Sequence, residues 1–234
     1  MSTNHCKSPL PILSHEWLCR VPMFIRVCGA TQASLDQQIH VRKYAAGQSI
    51  FLEGHRPSGL CMVVGGLVRV YRMMVDGRVH VHNYVRPYAA VNITAALDGR
   101  PNPTSAEAVV DTQIGWLPRA ALMQLMAEDT DLMQSCVRML TLQNRQLMER
   151  IDDLGFRTVP SRLARLLLHR GGFETEVNIP LDTLSQDEIA QVLGTSREVL
   201  GRALRQLYDL GLVRRDGRSY TIVDRDGLEK LAEE

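Results

Sequence analysis

The chain has 234 residues, 45% of them hydrophobic and 23% charged, and its 27 basic and 26 acidic residues give a net charge of +1. This length accommodates two modest domains, and the balanced charge gives no overall basic signal for nucleic acid. No apolar run is long enough to span a bilayer, and the N-terminal segment MSTNHCKSPL has no signal-peptide pattern. We therefore expect a cytoplasmic protein with no membrane partner and with reduced thiols.

After a predicted N-terminal tail of residues 1–20, residues 21–128 have a β-rich pattern. Short apolar runs alternate with turn signals between Val41 and Trp116, and Asp76-Gly77 between two alternating runs is typical of a hairpin. Many short strands joined by turns predict a sandwich or a barrel. The clearest runs are Leu60–Val64, Leu67–Met73, Val79–Tyr84 and Gln113–Leu117.

Residues 129–155 have the pattern of one long helix with an apolar seam. In a heptad repeat the seam residues occupy a and d positions, and Asn144 falls at an a position. One asparagine in such a seam favours a parallel pair of helices in register, so we predict a homodimer rather than a helix packed within its own chain. The predicted interface residues are Met133, Val137, Leu140, Asn144, Leu147, Ile151 and Leu154.

The helical pattern breaks between Asp153 and Pro160. Gly155 adds flexibility there, and Pro160 suits the first turn of a following helix. We therefore predict a hinge, followed by a second domain over residues 156–234 that begins with a helix at Ser161–His169.

Residues 185–207 contain two short helical patterns that meet at a glycine, as in a helix-turn-helix. Ser185 with Glu188, and Thr195 with Glu198, have the spacing of capping boxes, and Gly194 suits the positive φ at a helix end. The second helix carries arginines, which can bind guanine O6 and N7, and a glutamate, which can accept a hydrogen bond from cytosine N4. The pattern predicts a recognition helix for the major groove of double-stranded DNA.

A wing follows, with strands at Val213–Arg215 and Ser219–Val223 around the turn Asp216-Gly217. Six arginines against three acidic residues between Arg197 and Arg218 give a local positive patch suited to phosphate contacts. The predicted DNA-binding residues are Thr195, Ser196, Arg197, Glu198, Gly201, Arg202, Arg205 and Arg218.

This order of a β-rich domain, a long helix, a hinge and a winged helix-turn-helix resembles the CRP/FNR family of bacterial transcription regulators. The likeness extends from about Leu18 to Leu231 and is carried by TSREVLGRALRQL, LYDLGLVRRDGRSYTIVD, VPSRLARLLL and MVVGGLVRVYR. The resemblance implies an α+β fold: a jelly-roll-like β-roll sensor domain, similar to a cyclic nucleotide-binding domain, a dimerisation helix and a C-terminal winged helix-turn-helix. It also implies that a signal in the β-roll rotates the DNA-reading domains and that the dimer recruits or blocks RNA polymerase.

The resemblance further implies that Arg197, Glu198 and Arg202 read bases. Their Arg-Glu-x-x-Gly-Arg order is similar to the CRP branch, whose half-site centres on TGTGA, whereas the FNR branch typically has serine at the position of Gly201. We therefore expect a palindromic site with TGTGA-like arms.

The family's cyclic-AMP binders hold the ribose and the phosphate with a Gly-Glu pair and, ten residues later, an Arg-Ser pair. Alignment on Leu97–Pro101 places Asn92-Ile93 and Asn102-Pro103 at those positions. A phosphate buried there would lack the counter-charge of an arginine, so we do not expect cAMP to be the signal.

A redox or gas signal, such as oxygen or nitric oxide, is the next candidate. Iron–sulfur sensors of the FNR type have three closely spaced N-terminal cysteines and one in the β-roll. In this chain Cys6, Cys19 and Cys28 are spaced more loosely than in that pattern. An iron–sulfur cluster held by these three cysteines therefore stays a candidate, but a weaker one. Cys61 and Cys136 fit core packing better.

His80 and His82 share one face of a predicted strand and are candidate haem or metal ligands, although solvated histidines fit the pattern as well. The sequence has no phosphate loop, nucleophile elbow or HExxH motif, so we expect no enzyme. A regulator of an unidentified small organic ligand, or a degenerate ligand-binding module that acts through protein contacts, remains as an alternative.

Overall fold

The computed structural model describes residues 15–77, 79–168, 184–217 and 219–233. The chain divides into two units. The first contains the residues up to Val70 together with Val85–Leu140, and the second contains Tyr71–Tyr84 together with the residues from Thr141 onward.

Strands in the N-terminal half of the chain form two sheets. One sheet has its strands in the order β1 (His40–Tyr44), β7 (Thr112–Pro118), β3 (Gly59–Gly65). The other has the order β2 (Ser49–Phe51), β6 (Ser105–Ala108), β4 (Val68–Met73), β5 (Val79–Val85). The hairpin predicted at Asp76-Gly77 joins β4 to β5, and Gly77 has the positive φ of 82° that its turn requires.

Strand β3 separates two apolar cores because successive side chains of a strand point to opposite faces. Leu60, Met62 and Val64 pack in a core with the helices of the unit, whereas Cys61 and Val63 lie in the core between the sheets. Every residue of β3 is buried. Cys61 therefore serves as an apolar core residue, as its position in the strand pattern predicts.

Helices also contribute to this unit where the sequence analysis predicts a tail and an all-β segment. Helix α1 (His15–Leu18) contributes Trp17 and Leu18 to the same core as α2 (Gly29–Gln38). The predicted tail of residues 1–20 is thus too long at its C-terminal end, because these two side chains help to fill the core. Helix α3 (Ile93–Asp98) interrupts the predicted all-β segment and ends at Gly99, which has a φ of 71°.

One carboxylate joins the N-termini of two helices in this unit. Asp129 lies between α4 (Arg119–Glu128) and α5 (Thr130–Phe156). Its Oδ1 accepts hydrogen bonds from the backbone N–H groups of Asp131 at 2.9 Å and Leu132 at 3.1 Å. Its Oδ2 accepts one from the backbone N–H of Cys28, which precedes α2, at 3.1 Å. Asp129 therefore satisfies donors that both helix ends would otherwise leave unpaired.

The second unit contains the helix-turn-helix and its wing. Strands β8 and β9 pair antiparallel, with Asp216 opposite Ser219. The helix predicted at Ser161–His169 is present, and His169 lies outside the described residues. The elements are α6 (Val159–Leu168), α7 (Gln186–Val192), α8 (Arg197–Asp209), β8 (Val213–Asp216), β9 (Ser219–Ile222) and α9 (Arg225–Glu233).

The predicted hinge is shorter than the sequence pattern indicates. Helix α5 continues through Gly155, and only residues 157–158 separate it from α6. Asp153 Oδ1 forms ion pairs with Arg157 Nε at 3.1 Å and with Arg165 Nε, from α6, at 3.4 Å. These pairs offset the modest cost of a glycine inside a helix.

Candidate nucleic-acid interface

Local capping fixes the two helices of the helix-turn-helix. The capping box of Ser185 and Glu188 is confirmed: the Ser185 N–H donates to Glu188 Oε2 at 2.8 Å, and the Glu188 N–H donates to Ser185 Oγ at 3.2 Å. Gly194 has a φ of 64°, as expected for the residue between the helices. The prediction of a second capping box, at Thr195 and Glu198, is wrong. Ser196 is the N-cap of α8 and accepts from the Val199 N–H at 3.3 Å.

Helix α8 buries one face and exposes the other to solvent. Leu200, Ala203, Leu204 and Leu207 are buried. The opposite face carries the charged side chains predicted to read DNA, and the exposed members of that set are Ser196, Arg197, Glu198, Arg202 and Arg205. Thr195 and Gly201 are half-buried at the same end of the helix.

Both arginines predicted to read bases are held by exposed ion pairs. Arg197 Nη1 lies 3.2 Å from Asp187 Oδ2, and Arg202 Nη1 lies 3.2 Å from Glu198 Oε1. The side chains of Arg197 and Arg202 are each 66% exposed. Glu198 thus pairs with Arg202 instead of closing a capping box. Sequence spacing does not reveal the role of Asp187, because its contact crosses from α7 to α8.

The wing presents further cations. Arg214 Nη2 lies 3.2 Å from Asp216 Oδ2, and Thr221 Oγ1 donates to the same oxygen at 3.0 Å. The hydrogen bond from Arg214, followed by that from Thr221, lowers the pKa of Asp216. Arg215 is exposed and donates to the Gly217 carbonyl. Arg218 lies outside the described residues.

The predicted dimer seam of α5 faces solvent in the single chain. Leu140 is partly buried against the core of the first unit, and the Leu154 side chain is not among those described. The other members are exposed: Met133 by 43%, Val137 by 57%, Leu147 by 53% and Ile151 by 67%, with Asn144 between them. An exposed apolar stripe of this length is characteristic of an interaction surface.

Two buried asparagines occupy the positions that the sequence analysis assigns to the phosphate site of a cAMP binder. Asn92 accepts from the Cys61 N–H at 2.8 Å and donates to the Gly59 carbonyl at 3.0 Å. Asn102 donates from Nδ2 to the His55 carbonyl at 3.1 Å. Both side chains are neutral and joined to backbone groups.

The rings of His80 and His82 lie edge to face with their centroids 4.8 Å apart. Partial burial, followed by the charge of Arg150, lowers the pKa of His80, and a hydrogen bond with the Gln191 backbone acts in the opposite direction. Among the described residues, no group of three or more His, Cys, Asp or Glu side chains could hold a metal ion. The described geometry therefore offers His80 and His82 no third protein ligand of these types.

The described cysteines fall into two classes. Cys61 and Cys136 are buried in separate cores, and burial raises the pKa of both thiols, that of Cys136 to about 11. Cys19 and Cys28 are exposed free thiols. Cys28 Sγ lies 3.3 Å from Thr31 Oγ1. Cys6 lies outside the described residues.

Comparison with known families agrees with this arrangement. Residues 41–129 match the model of a cyclic nucleotide-binding domain, and residues 161–231 match that of a Crp-like helix-turn-helix domain. Together the two matches cover more than half of the chain. The first coincides with the β sheets and the second with the helix-turn-helix. The chain belongs to the CRP/FNR family. Its members are transcription regulators, which are not a class of enzyme.

Individual known proteins match most of this chain. The CRP-like cAMP-activated global transcriptional regulator of Mycobacterium tuberculosis is 28% identical over 93% of this chain and 99% of its own. The structure of FixK2 from Bradyrhizobium japonicum is 25% identical, with a TM-score of 0.69 over 82% of this chain and 96% of that one. A mutant of CooA from Carboxydothermus hydrogenoformans, at 18% identity, shares the fold with a TM-score of 0.71 over 86% and 90% of the two chains.

Family membership confirms the expected fold class: an N-terminal β domain, a long helix and a C-terminal DNA-binding helix-turn-helix. Within the described part of this CRP/FNR chain, no helix is both long enough and apolar enough to cross a membrane.

Proposed function

We propose that this CRP/FNR regulator binds, as a homodimer, a palindromic double-stranded DNA site with TGTGA-like arms, and thereby recruits or blocks RNA polymerase. The observation that carries the proposal is the exposed face of α8, where Arg197, Glu198 and Arg202 project from the first turns. These are the turns of a recognition helix that contact base edges in the major groove.

The side chains of this face have distinct roles in the proposed complex. Arg197 and Arg202 each contact a guanine through O6 and N7, and Glu198 accepts a hydrogen bond from a cytosine amino group. Arg205 and the wing arginines 214 and 215 contact phosphates, which position the protein without reading sequence. DNA must compete with Asp187 and Glu198 for the base-reading arginines.

The exposed seam of α5 supports the homodimer. Four apolar side chains and Asn144 lie along it at heptad spacing and face solvent in the single chain. A parallel pair of these helices would bury the apolar stripe and present two recognition helices to a two-fold DNA site.

We further propose that the signal is redox-based or a gas, such as nitric oxide or oxygen, rather than cAMP. Asn92 and Asn102 place neutral amides, already bonded to backbone groups, where a cyclic phosphate would need a cation. The exposed thiols of Cys19 and Cys28 support a redox role, because accessibility is one requirement for thiol oxidation. Response to an unidentified small organic ligand is the alternative.

Competition binding tests the DNA proposal. The affinity for a TGTGA palindrome should exceed that for a scrambled duplex of the same length at equal salt concentration. Arg202→Ala should reduce this discrimination by about five- to 150-fold for each arm of the palindrome, the range for one bidentate base contact. Arg225→Ala is a matched control, because Arg225 is also 66% exposed and pairs four residues along its helix, with Glu229. Full discrimination by Arg202→Ala would refute the assigned role of Arg202.

Two measurements on protein purified without oxygen test the signal. A Soret band that shifts with carbon monoxide or nitric oxide would identify haem, and a broad absorbance near 400 nm that air bleaches would identify an iron–sulfur cluster. Oxidant-dependent loss of DNA binding that Cys19→Ser or Cys28→Ser abolishes would identify thiol sensing. A featureless spectrum together with oxidant-insensitive binding would favour an organic ligand, and saturable cAMP binding at micromolar concentration would contradict the proposal.

A further inference from the structure

One face of β5 contacts both the long helix and the first helix of the helix-turn-helix, within the second unit. His80, His82 and Tyr84 alternate along the strand, and residues at a spacing of two lie on the same face. Tyr84 and His80 approach α7 through their side chains, and the His82 carbonyl accepts a hydrogen bond from α5.

Tyr84 contacts the capping residue of α7. Its side chain is among the largest fully buried ones, with the residue 1% exposed, and its hydroxyl donates to Glu188 Oε1 at 3.5 Å. The other carboxylate oxygen of Glu188 accepts from Ser185 at 2.8 Å and closes the capping box. Glu188 therefore links the start of α7 to β5.

Arg150 and His80 complete the contact. Arg150 Nη1, from α5, donates to the His82 carbonyl at 2.8 Å. His80 lies close enough to the backbone of Gln191, near the end of α7, for that backbone to affect its pKa. The strand thus contacts α7 through Glu188, and it contacts the helix that carries the dimer seam through Arg150.

We propose that Tyr84 and Arg150 are positioning residues for DNA recognition, which hold α7, and with it the recognition helix α8, at a fixed orientation to α5. This inference rests on the proposed homodimer and its palindromic site. The two residues contact no base in that site. They act by restricting how far the recognition helix α8 of each subunit can turn relative to the dimer axis.

A fixed orientation of the two recognition helices makes binding depend on the spacing between the two arms of the palindrome. The affinity for a duplex with one arm does not report this dependence. Adding one base pair between the arms rotates one half-site by about 35° relative to the other. A dimer whose two recognition helices are held in a fixed orientation binds well at only one arm spacing. A dimer whose recognition helices turn freely accommodates several spacings, but it binds the best one less tightly because DNA must then order the helices. Dependence on arm spacing therefore separates orientation from base reading and from folding.

The test uses Tyr84→Phe and Arg150→Met in the full-length protein. Tyr84→Phe keeps the buried ring and removes only the hydroxyl. Arg145→Met is the matched control, because Arg145 is an exposed arginine of the same helix outside the seam. Affinities are measured for TGTGA palindromes whose spacer varies one base pair at a time and for a duplex with one arm, and circular dichroism verifies the fold of each variant.

We expect both variants to lose about 30-fold in affinity at the optimal spacing, the effect of one net hydrogen bond in each of the two subunits. The penalty for a spacer one base pair longer or shorter should shrink, the one-arm affinity should stay unchanged, and Arg145→Met should behave as wild type. Equal losses on every duplex, an unaltered spacing profile, or tighter binding at the optimum would overturn the inference. A wild-type protein that prefers neither palindromes nor any spacing would overturn the proposed function as well.

Discussion

Asp129 caps two helices of the first unit with one carboxylate, so Asp129→Ala should weaken both helix ends at once. Burial raises the pKa of Asp129, but hydrogen bonds from the Thr31 side chain and from the backbone of Leu132 and Cys28 outweigh it and lower the pKa to about 2 from 3.8. The charged form is therefore bound more favourably in the folded state than in the unfolded chain.

Two routes give a similar magnitude for this change. Loss of an N-cap costs about 1 kcal/mol per helix, or about 2 kcal/mol for α2 and α5 together. The lowered pKa corresponds to about 2 kcal/mol. We expect Asp129→Ala to lower the free energy of unfolding by about 1 to 2 kcal/mol at pH 7.

Urea unfolding followed by tryptophan fluorescence measures this loss where it occurs. The chain has two tryptophans, and both are buried in the first unit. Trp17 lies in the core to which the capped helices α2 and α5 contribute Leu35 and Leu132, and Trp116 lies in the core between the sheets. Asp131→Ala is the control, because Asp131 is an exposed acid in the first turn of the same helix and should change stability by less than about 0.5 kcal/mol.

The pH dependence has a fixed sign. Because folding lowers the pKa of Asp129, its stabilisation is complete above the unfolded pKa of about 3.8 and is lost as the pH falls through the folded value of about 2. The difference between wild type and Asp129→Ala should be constant from pH 7 to about pH 5 and shrink by pH 3. Equal effects of the two alanine variants at pH 7, or a difference that persists undiminished at pH 3, would refute this account.

Three further predictions follow from single positions. Gly201→Ala should raise the free energy of unfolding by about 0.5 to 1 kcal/mol, since a Cβ there meets nothing within 4 Å, and thermal melting without an increase would contradict this. Asn144→Ile should tighten the dimer by about 1 to 3 kcal/mol in sedimentation equilibrium, because it removes a polar group from the apolar seam, and unchanged association would argue against that seam. A maleimide should label Cys19 and Cys28 within minutes in native protein, whereas Cys61 should react only after unfolding, and equal rates by mass spectrometry would show otherwise.

The parts of the fold that depend on local sequence were predictable. The capping box at Ser185, the turn at Gly77 and the apolar run Leu60–Val64 of β3 each depend on neighbours within a few residues, and the structure confirms them. The N-cap of α8 was off by one residue because Thr195 and Ser196 are both good caps, and geometry selected Ser196.

Contacts between distant segments were not predictable from one sequence. The bond of Asp129 to the Cys28 N–H joins residues 101 positions apart, and that of Tyr84 to Glu188 joins residues 104 apart. Neither pair has a spacing pattern, since each depends on how sheets and helices pack. For the same reason the exposed surface of α8 was predicted residue by residue, but its pairing with Asp187 was not.

The ion pairs on α8 also affect how the regulator searches a genome. Any duplex offers phosphates to Arg197 and Arg202, and a bacterial chromosome presents about a million or more such competing sites. Each exposed pair, with Asp187 or with Glu198, opposes that indiscriminate attraction by about 0.2 to 1 kcal/mol. In the proposed complex, a guanine in the right register offers a bidentate contact worth about 1 to 3 kcal/mol, which outweighs the pair. Under the proposed function, the acidic partners therefore lower the affinity for irrelevant DNA more than the affinity for the operator.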